Sequence, residues 1–345
     1  MQRHRTPDHR RARTWRLLLA LLGSVTAFCT HADDRPDEAS YTRAQQRVDI
    51  GGRSLNLVCM GSAPDKGTPT VIFESGLSDW SFSWALVQPR VGTIARACSY
   101  DRAGLGYSDP SARAGSSANI VDDLHRLLRQ ARIAPPYVLV GHSLGGLTMR
   151  LYADRFRSEI VGMVLVDALH EDSLTRLDIG SSGGETRRLA AEVAGWRWCT
   201  RSGARTSRTA RWQARCIEPA DPRFSPALNA ARRAVAQRPS YQAAQLSEAL
   251  NYLDGNSFAP VRTARRFYGA LPLTVLSSER TIASAGPQWL QMHRELATLS
   301  SLGQQQTVSD AGHYIQLDQP DVVVSAIADI LHQVQQTSAN RASPP

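Results

Sequence analysis

The segment Gly141-His142-Ser143-Leu144-Gly145-Gly146 constrains the fold of this chain more than any other, because its Gly-x-Ser-x-Gly motif separates two different periodicities. The apolar run 137–140 before it is typical of a buried strand, and residues 147–156 after it carry apolar side chains at helical spacing. A strand-to-helix turn this tight strains the serine backbone and requires glycine on both sides. The pattern therefore predicts that the Ser143 hydroxyl is exposed at a strand end, beside the N-terminus of a helix that favours negative charge.

Apolar strands alternate with amphipathic helices over most of the chain, which predicts a mostly parallel sheet covered by helices on both faces. The predicted strands are 47–50, 55–60, 70–74, 95–100, 137–140, 160–166, 273–276 and 305–309, and the stronger helices are 116–131, 147–156, 289–299 and 322–334. The alternation stops in an Arg- and Ala-rich stretch that holds only weak helices, at 227–237 and 241–253. We expect an α/β fold with an eight-stranded core, residues 46–169 and 269–335, and a helical lid, residues 170–268, inserted after the sixth strand. The tail, residues 336–345, is predicted to be disordered.

The N-terminus, residues 1–32, has the pattern of an export signal. Six arginines precede the apolar run 17–28, which is too short to span a bilayer comfortably. Thr30 and Ala32 are small residues of the kind that a cleavage site needs. We expect a cleaved signal and an exported protein, periplasmic or secreted, with no stable membrane span afterwards; an uncleaved anchor and a lipoprotein at Cys29 are the alternatives. Without this segment the net charge falls from +9 to +4 (34 basic minus 30 acidic side chains), which is too small and scattered to predict nucleic-acid binding.

A serine hydroxyl becomes an effective nucleophile only beside a histidine base, which in turn needs an acid to fix its tautomer. His313 follows the last predicted strand in Asp310-Ala311-Gly312-His313, so we expect it at the strand ends as the base. His170, near the end of the sixth strand, is the second choice.

The acid has two main candidates. Asp167 directly follows the sixth strand and is a short carboxylate in a rigid position, whereas Glu279 lies in a polar segment after the seventh. We predict Asp167, with Glu279 as the alternative and with Asp310 and Glu171 as weaker ones.

Acyl transfer also needs two donors for the developing oxyanion. We expect these to be the backbone N–H groups of Leu144, next to the serine, and of Leu77, after the turn at Gly76. Trp80 and Trp84 either wall the substrate pocket or pack in the core.

Two other patterns give no cofactor or metal prediction. The Gly104-x-Gly106 turn lacks the third glycine of a dinucleotide-binding loop, since position 109 is aspartate, and is expected to be structural. The cysteine spacings fit no zinc motif.

Together these residues resemble the α/β-hydrolase superfamily, in its main fold-1 branch, over about residues 50–335. The motifs that carry the resemblance are Glu74-Ser75-Gly76, Tyr100-Asp101-Arg102-Ala103-Gly104-Leu105-Gly106-Tyr107-Ser108, the Ser143 segment and Gly312-His313. The resemblance implies a serine hydrolase without metal or organic cofactor, in which Ser143 attacks a carbonyl and passes its proton to His313. Relatives usually carry Gly-x-x-Asp after the seventh strand, where this chain has Ser278-Glu279-Arg280-Thr281, and this departure favours Asp167.

Four cysteines remain after signal cleavage, an even number that suits an exported protein. The family's strand order makes the second and fourth strands neighbours, which supports a Cys59–Cys98 disulfide, and we expect Cys199 and Cys216 to close a short loop in the insertion. Four reduced thiols are the alternative.

The expected function is an exported carboxylesterase or lipase-like hydrolase acting on a small-molecule ester. Alternatives on the same triad are an aminopeptidase-like enzyme, for which Glu171 and Asp172 are the only hint of an amine-binding pocket, and a cofactor-free haloperoxidase or C–C hydrolase. The alternative from another functional class is a non-catalytic binding protein on the same scaffold. The lid sets the substrate on this fold, so the sequence does not name it.

Overall fold

An eight-stranded sheet lies at the centre of the part of the chain that the computed structural model describes, which is residues 38–63, 67–177, 185–206 and 209–342. The predicted export signal, residues 1–32, lies outside these ranges. The strands are β1 (Gln46–Asp49), β2 (Ser54–Met60), β3 (Thr70–Glu74), β4 (Ala97–Tyr100), β5 (Tyr137–His142), β6 (Ile160–Val166), β7 (Leu273–Ser278) and β8 (Gly303–Val308). Each predicted strand is present, with ends that differ by a few residues.

The strand order is β1-β2-β4-β3-β5-β6-β7-β8. Strand β2 is antiparallel to both of its neighbours, and all pairings from β4 to β8 are parallel. The central strands β3, β5 and β6 are almost entirely buried, as their continuous apolar sequences predict, whereas β8 at the edge is polar and largely exposed. The predicted mostly parallel α/β sheet is therefore confirmed.

Helices cover both faces of the sheet. They are α1 (Gln88–Val91), α2 (Ser117–Gln130), α3 (Leu144–Arg155), α4 (Ser173–Arg176), α5 (Glu185–Thr206), α6 (Ala210–Cys216), α7 (Pro226–Ala236), α8 (Pro239–Leu253), α9 (Ala259–Ala264), α10 (Glu279–Ala285), α11 (Pro287–Ala297), α12 (Ile315–Asp318) and α13 (Pro320–Ala342), with 3₁₀ turns at Glu38–Tyr41, Ser81–Trp84 and Arg157–Glu159. Helices α2, α3 and α11 bury their apolar sides in one core cluster, and α1 and α13 bury theirs in a second.

The described residues between β6 and β7 are mostly helical, and we call residues 170–268 the insertion. Helices α7 and α8 match the weak helices that the sequence predicts, but α5 was missed because its 22 residues show no strong apolar period. Helix α5 packs on α6 and α8.

Both predicted disulfides are present. Cys59 and Cys98 lie directly opposite each other on β2 and β4, with their Cα atoms 4.1 Å apart. Cys199 and Cys216 join α5 to the end of α6.

The C-terminal helix corrects one prediction. We expected a disordered tail from residue 336, but α13 continues to Ala342, and only residues 343–345 lie outside the described part. Residues 336–342 contain no proline or glycine, so nothing in this segment ends the helix once packing has formed its earlier turns. Among the helices that the structure describes, none combines the length and the hydrophobicity that a membrane span needs.

Candidate active site

The turn between β5 and α3 holds Ser143 in a strained backbone conformation. Its φ of 54° and ψ of −120° lie outside the regions that L-residues favour. A Cβ atom at Gly141 would lie 2.6 Å from the carbonyl oxygen of Gly145, and one at Gly145 would lie 2.4 Å from that of Glu74. Only glycine fits at both positions, so the two glycines of the motif are what allows the tight turn that sequence reasoning predicts.

Strand β6 fixes the turn and the predicted acid together. The Ser143 N–H donates to the carbonyl of Val166 at 3.1 Å, and the Ser143 carbonyl accepts from the N–H of Leu169 at 3.1 Å. Asp167 lies between these two partners in the chain. The backbone that follows β6 therefore sets the position of Asp167 relative to Ser143.

The carboxylate of Asp167 is fully buried and accepts four hydrogen bonds. Its Oδ2 accepts from His313 Nδ1 at 2.7 Å and from Thr281 Oγ1 at 2.7 Å, while Oδ1 accepts from the Ser278 N–H at 3.0 Å and from Trp289 Nε1 at 2.9 Å. Burial alone would raise the pKa of Asp167, but the hydrogen bond and charge of His313, with the other donors, outweigh burial and lower the pKa. Asp167 is therefore held as a carboxylate.

His313 is oriented by this carboxylate and lies next to the serine turn. Donation from Nδ1 to Asp167 leaves Nε2 free to accept a proton. His142, the neighbour of Ser143, donates from Nε2 to the His313 carbonyl at 2.9 Å, and the two imidazole rings are 4.7 Å apart. Burial lowers the pKa of His142 to about 3, so His142 is neutral and acts here as a hydrogen-bond donor. In the described part of the chain no hydrogen bond joins the Ser143 hydroxyl to His313, a contact that in unliganded enzymes often forms only with substrate.

The two predicted oxyanion donors flank Ser143. Leu144 is the first residue of α3, and Leu77 follows Gly76, where a Cβ atom would lie 3.4 Å from the Ser143 Cβ. Within the described residues neither the Leu77 nor the Leu144 N–H has a protein acceptor, which leaves both for a ligand.

The weaker acid candidates lie elsewhere. Glu279 is exposed and accepts from the N–H of Asp310 at 3.1 Å, so it does not bond to His313. Glu171 is buried and forms ion pairs with Arg150 and, at 3.0 Å, with Arg265. Of the four carboxylates considered, only Asp167 is in contact with the predicted base.

The two tryptophans have different surroundings. Trp84 is fully buried against Phe73, with ring centroids 4.9 Å apart, so it packs in the core. Trp80 lines a small cavity together with Asp79 and Tyr241. Burial, followed by the charge of Glu218, raises the pKa of Asp79 to about 7.

Sequence reasoning missed two partners of Asp167, which are Thr281 on α10 and Trp289 on α11. They lie 114 and 122 residues from Asp167 in the chain, and no local motif marks them. Among the described residues, no group of three or more histidine, cysteine or acidic side chains comes together in a way that could hold a metal ion.

The sheet order, the strained serine turn and the contact of buried Asp167 with partly exposed His313 are those of an α/β-hydrolase fold. A family model described as "Alpha/beta hydrolase family" matches residues 71–326, and the chain belongs to this family.

Several of the relatives with curated descriptions are uncharacterized proteins. The uncharacterized Bacillus subtilis protein YqjL is 26% identical over 265 residues, covering 76% of this chain and 83% of YqjL. An uncharacterized Schizosaccharomyces pombe protein, C23C11.06c, is 31% identical over 166 residues, which are 41% of this chain and only 30% of that protein.

Solved structures share the fold at low sequence identity. A Pseudomonas aeruginosa protein provisionally assigned as an epoxide hydrolase superposes with a TM-score of 0.66 at 17% identity, covering 84% of this chain and 96% of its own. An Acinetobacter baumannii protein provisionally assigned as a lipase gives 0.63 at 17%, covering 87% and 94%. The enol-lactonase of Burkholderia xenovorans gives 0.56 at 19%, covering 83% and 100%. At these identities the likeness concerns the fold alone.

Proposed function

We propose that this protein is a serine hydrolase that cleaves a carboxylic ester through an acyl-enzyme on Ser143. The observation that carries the proposal is the hydrogen bond from His313 Nδ1 to the buried carboxylate of Asp167, beside the strained turn that holds Ser143. A nucleophile, a base and an acid in this order along the chain, on this fold, are typical of acyl transfer.

In the proposed reaction, Ser143 Oγ forms a bond to the carbonyl carbon while its proton moves to His313 Nε2. Asp167 stabilises the imidazolium that results, and the N–H groups of Leu77 and Leu144 bind the oxyanion. The alcohol then leaves with the proton from His313. Water, deprotonated by the same imidazole, attacks the acyl-enzyme. The acyl–Oγ bond then breaks, the acid is released, and His313 returns the proton to Ser143 Oγ.

Two considerations favour an ester substrate. Epoxide hydrolases and haloalkane dehalogenases of this fold use an aspartate nucleophile, whereas this chain has serine at that position. A peptidase would need a free acidic side chain to bind the substrate amine. The two candidates for this role are both paired, Glu171 with Arg150 and Asp172 with Arg262, the latter at 2.9 Å.

The two disulfides are compatible with the proposed export of the protein.

Labelling with a fluorophosphonate tests the proposal, because this probe reacts with an activated serine. We expect the wild-type protein to be labelled on Ser143, and Ser143→Ala and His313→Ala not to be labelled. Folded wild-type protein that stays unlabelled and hydrolyses no p-nitrophenyl ester of any chain length would instead favour a non-catalytic binding protein. The same ester series gives the preferred acyl length.

A further inference from the structure

Arg102 lies buried between the core and the insertion, where two carboxylates hold it. Its Nη1 donates to Glu74 Oε1 at 2.7 Å, and Nε and Nη2 donate to the two carboxylate oxygens of Glu248, on α8, at 2.6 and 2.9 Å. Burial alone would lower the pKa of Arg102, but the charges of Glu248 and Glu74 outweigh burial and raise the pKa. Arg102 is therefore a fixed cation that joins the core to the insertion.

The same guanidinium also orients the loop that carries the predicted oxyanion donor. Nη1 donates to the Ser75 carbonyl at 2.8 Å and Nη2 to the Gly76 carbonyl at 2.6 Å. In a trans peptide group the C=O and the N–H point in opposite directions, so the Leu77 N–H points away from Arg102. Because Gly76 lies against the Ser143 Cβ, this orientation suits a donor that serves an oxyanion bound at Ser143.

Helix α8 holds the next residue of that loop at both of its backbone groups. The Ser78 N–H donates to Glu248 Oε2 at 2.8 Å, and Tyr241 Oη donates to the Ser78 carbonyl at 3.2 Å. Ser78 has a φ of 65°, in the left-handed region that non-glycine residues rarely adopt. Two hydrogen bonds from the insertion therefore stabilise a conformation that the loop would not favour on its own.

We propose that Arg102 and Glu248 are positioning residues that set the Leu77 N–H for catalysis, so that the oxyanion hole is complete only while α8 is docked on the core. This inference rests on the proposed serine hydrolase function. It makes the insertion a part of the catalytic apparatus. A purely structural ion pair would influence stability alone, whereas a positioning pair acts on the chemical step.

The test compares Glu248→Gln and Arg102→Lys with a matched control. Glutamine keeps the shape of Glu248 but removes its charge, and its NH₂ group must face a donor, either Arg102 Nε or, in the other amide orientation, Arg102 Nη2 and the Ser78 N–H. Lysine cannot reproduce the planar fork of arginine. The control is Glu38→Gln, because Glu38 is also a buried carboxylate that holds the insertion, accepting from the Ser225 N–H at 2.9 Å, but it does not contact the oxyanion loop.

With a p-nitrophenyl ester we expect kcat to fall roughly 10- to 100-fold in Glu248→Gln and Arg102→Lys, part of the effect of losing an oxyanion donor outright. The KM should stay within about threefold, because the interaction acts mainly in the transition state. Hydrogen–deuterium exchange should also be faster across residues 75–79. In Glu38→Gln, both kcat and the exchange of these residues should match the wild type.

The proposal is overturned if Glu248→Gln and Arg102→Lys keep a kcat within about threefold of the Glu38→Gln control, or if exchange at residues 75–79 is unchanged. Failure of the proposed function looks different: the wild type itself would show no hydrolysis that depends on Ser143. In that case the exchange measurement alone decides whether Glu248 holds the loop, since it needs no activity.

Discussion

Replacing Asp167 with asparagine should reverse the tautomer of His313, because the surroundings of residue 167 fix which way the new amide points. The Oδ1 position receives the Ser278 N–H and the indole N–H of Trp289, and neither group can accept a hydrogen bond. The amide oxygen of asparagine must therefore occupy that side. Its NH₂ group then takes the place of Oδ2 and faces His313 Nδ1.

A donor at this position forces His313 to accept at Nδ1 and to carry its proton on Nε2. The nitrogen that should take the proton of Ser143 is then already protonated. Amide replacement of a triad carboxylate with unchanged geometry lowers kcat by about 10⁴, which corresponds to about 5.5 kcal/mol in the barrier. We expect a loss of this size here, with KM nearly unchanged because Asp167 is buried away from substrate.

The assay is steady-state hydrolysis of the best p-nitrophenyl ester by purified Asp167→Asn, with Glu279→Gln as the control. Glu279 is an exposed carboxylate at the first residue of α10, directly after β7, so its variant should retain near wild-type turnover. If Asp167→Asn keeps more than a tenth of wild-type kcat, or if Glu279→Gln collapses instead, the tautomer argument is wrong. Circular dichroism of both variants checks that they fold.

Three further outcomes follow from the described contacts. Trp289→Phe removes one of the four hydrogen bonds that Asp167 accepts. If its loss raises the barrier by about 1.4 kcal/mol, kcat in the same ester assay should fall roughly tenfold while KM stays unchanged. The pKa of Asp79 is raised to about 7, so this carboxyl binds a proton more tightly in the folded protein than in the unfolded chain. The free energy of unfolding should therefore fall as the pH rises from about 4 to 7, by at most about 1.4 kcal/mol per pH unit. In urea unfolding at pH 5 and pH 8, the Asp79→Asn variant should not show this decrease. Replacing both Cys59 and Cys98 with alanine opens a loop with a sequence separation of 39 and should lower the free energy of unfolding by about 4 kcal/mol in the chain-entropy model; a loss below about 1 kcal/mol in urea unfolding would contradict that model here.

Local patterns predict most of the sheet and the strained serine turn. Apolar runs mark the central strands, and two glycines around Ser143 mark a turn that only glycine permits. The contact of Asp167 with His313 joins residues 146 positions apart, and its prediction depended on the order of elements in the resembled family.

The features that sequence patterns do not predict are those that no local apolar period or motif marks. Helix α5 is polar over much of its length, so no apolar stripe marks it. Glu248 meets Arg102 across 146 positions, and no local sequence pattern predicts this contact. Only the folded chain shows that both are buried and that both touch the loop beside Ser143.

The ion pair between Arg102 and Glu248 limits how freely the insertion of this protein could be exchanged. An insertion transplanted from another family member would leave Arg102 buried with only Glu74 as a counter-ion, unless the graft supplied an acidic side chain at the place of Glu248. Exchange of insertions between family members is therefore restricted by the partner that Arg102 needs. Chimeras should fold only if the new insertion places a carboxylate at the position of Glu248.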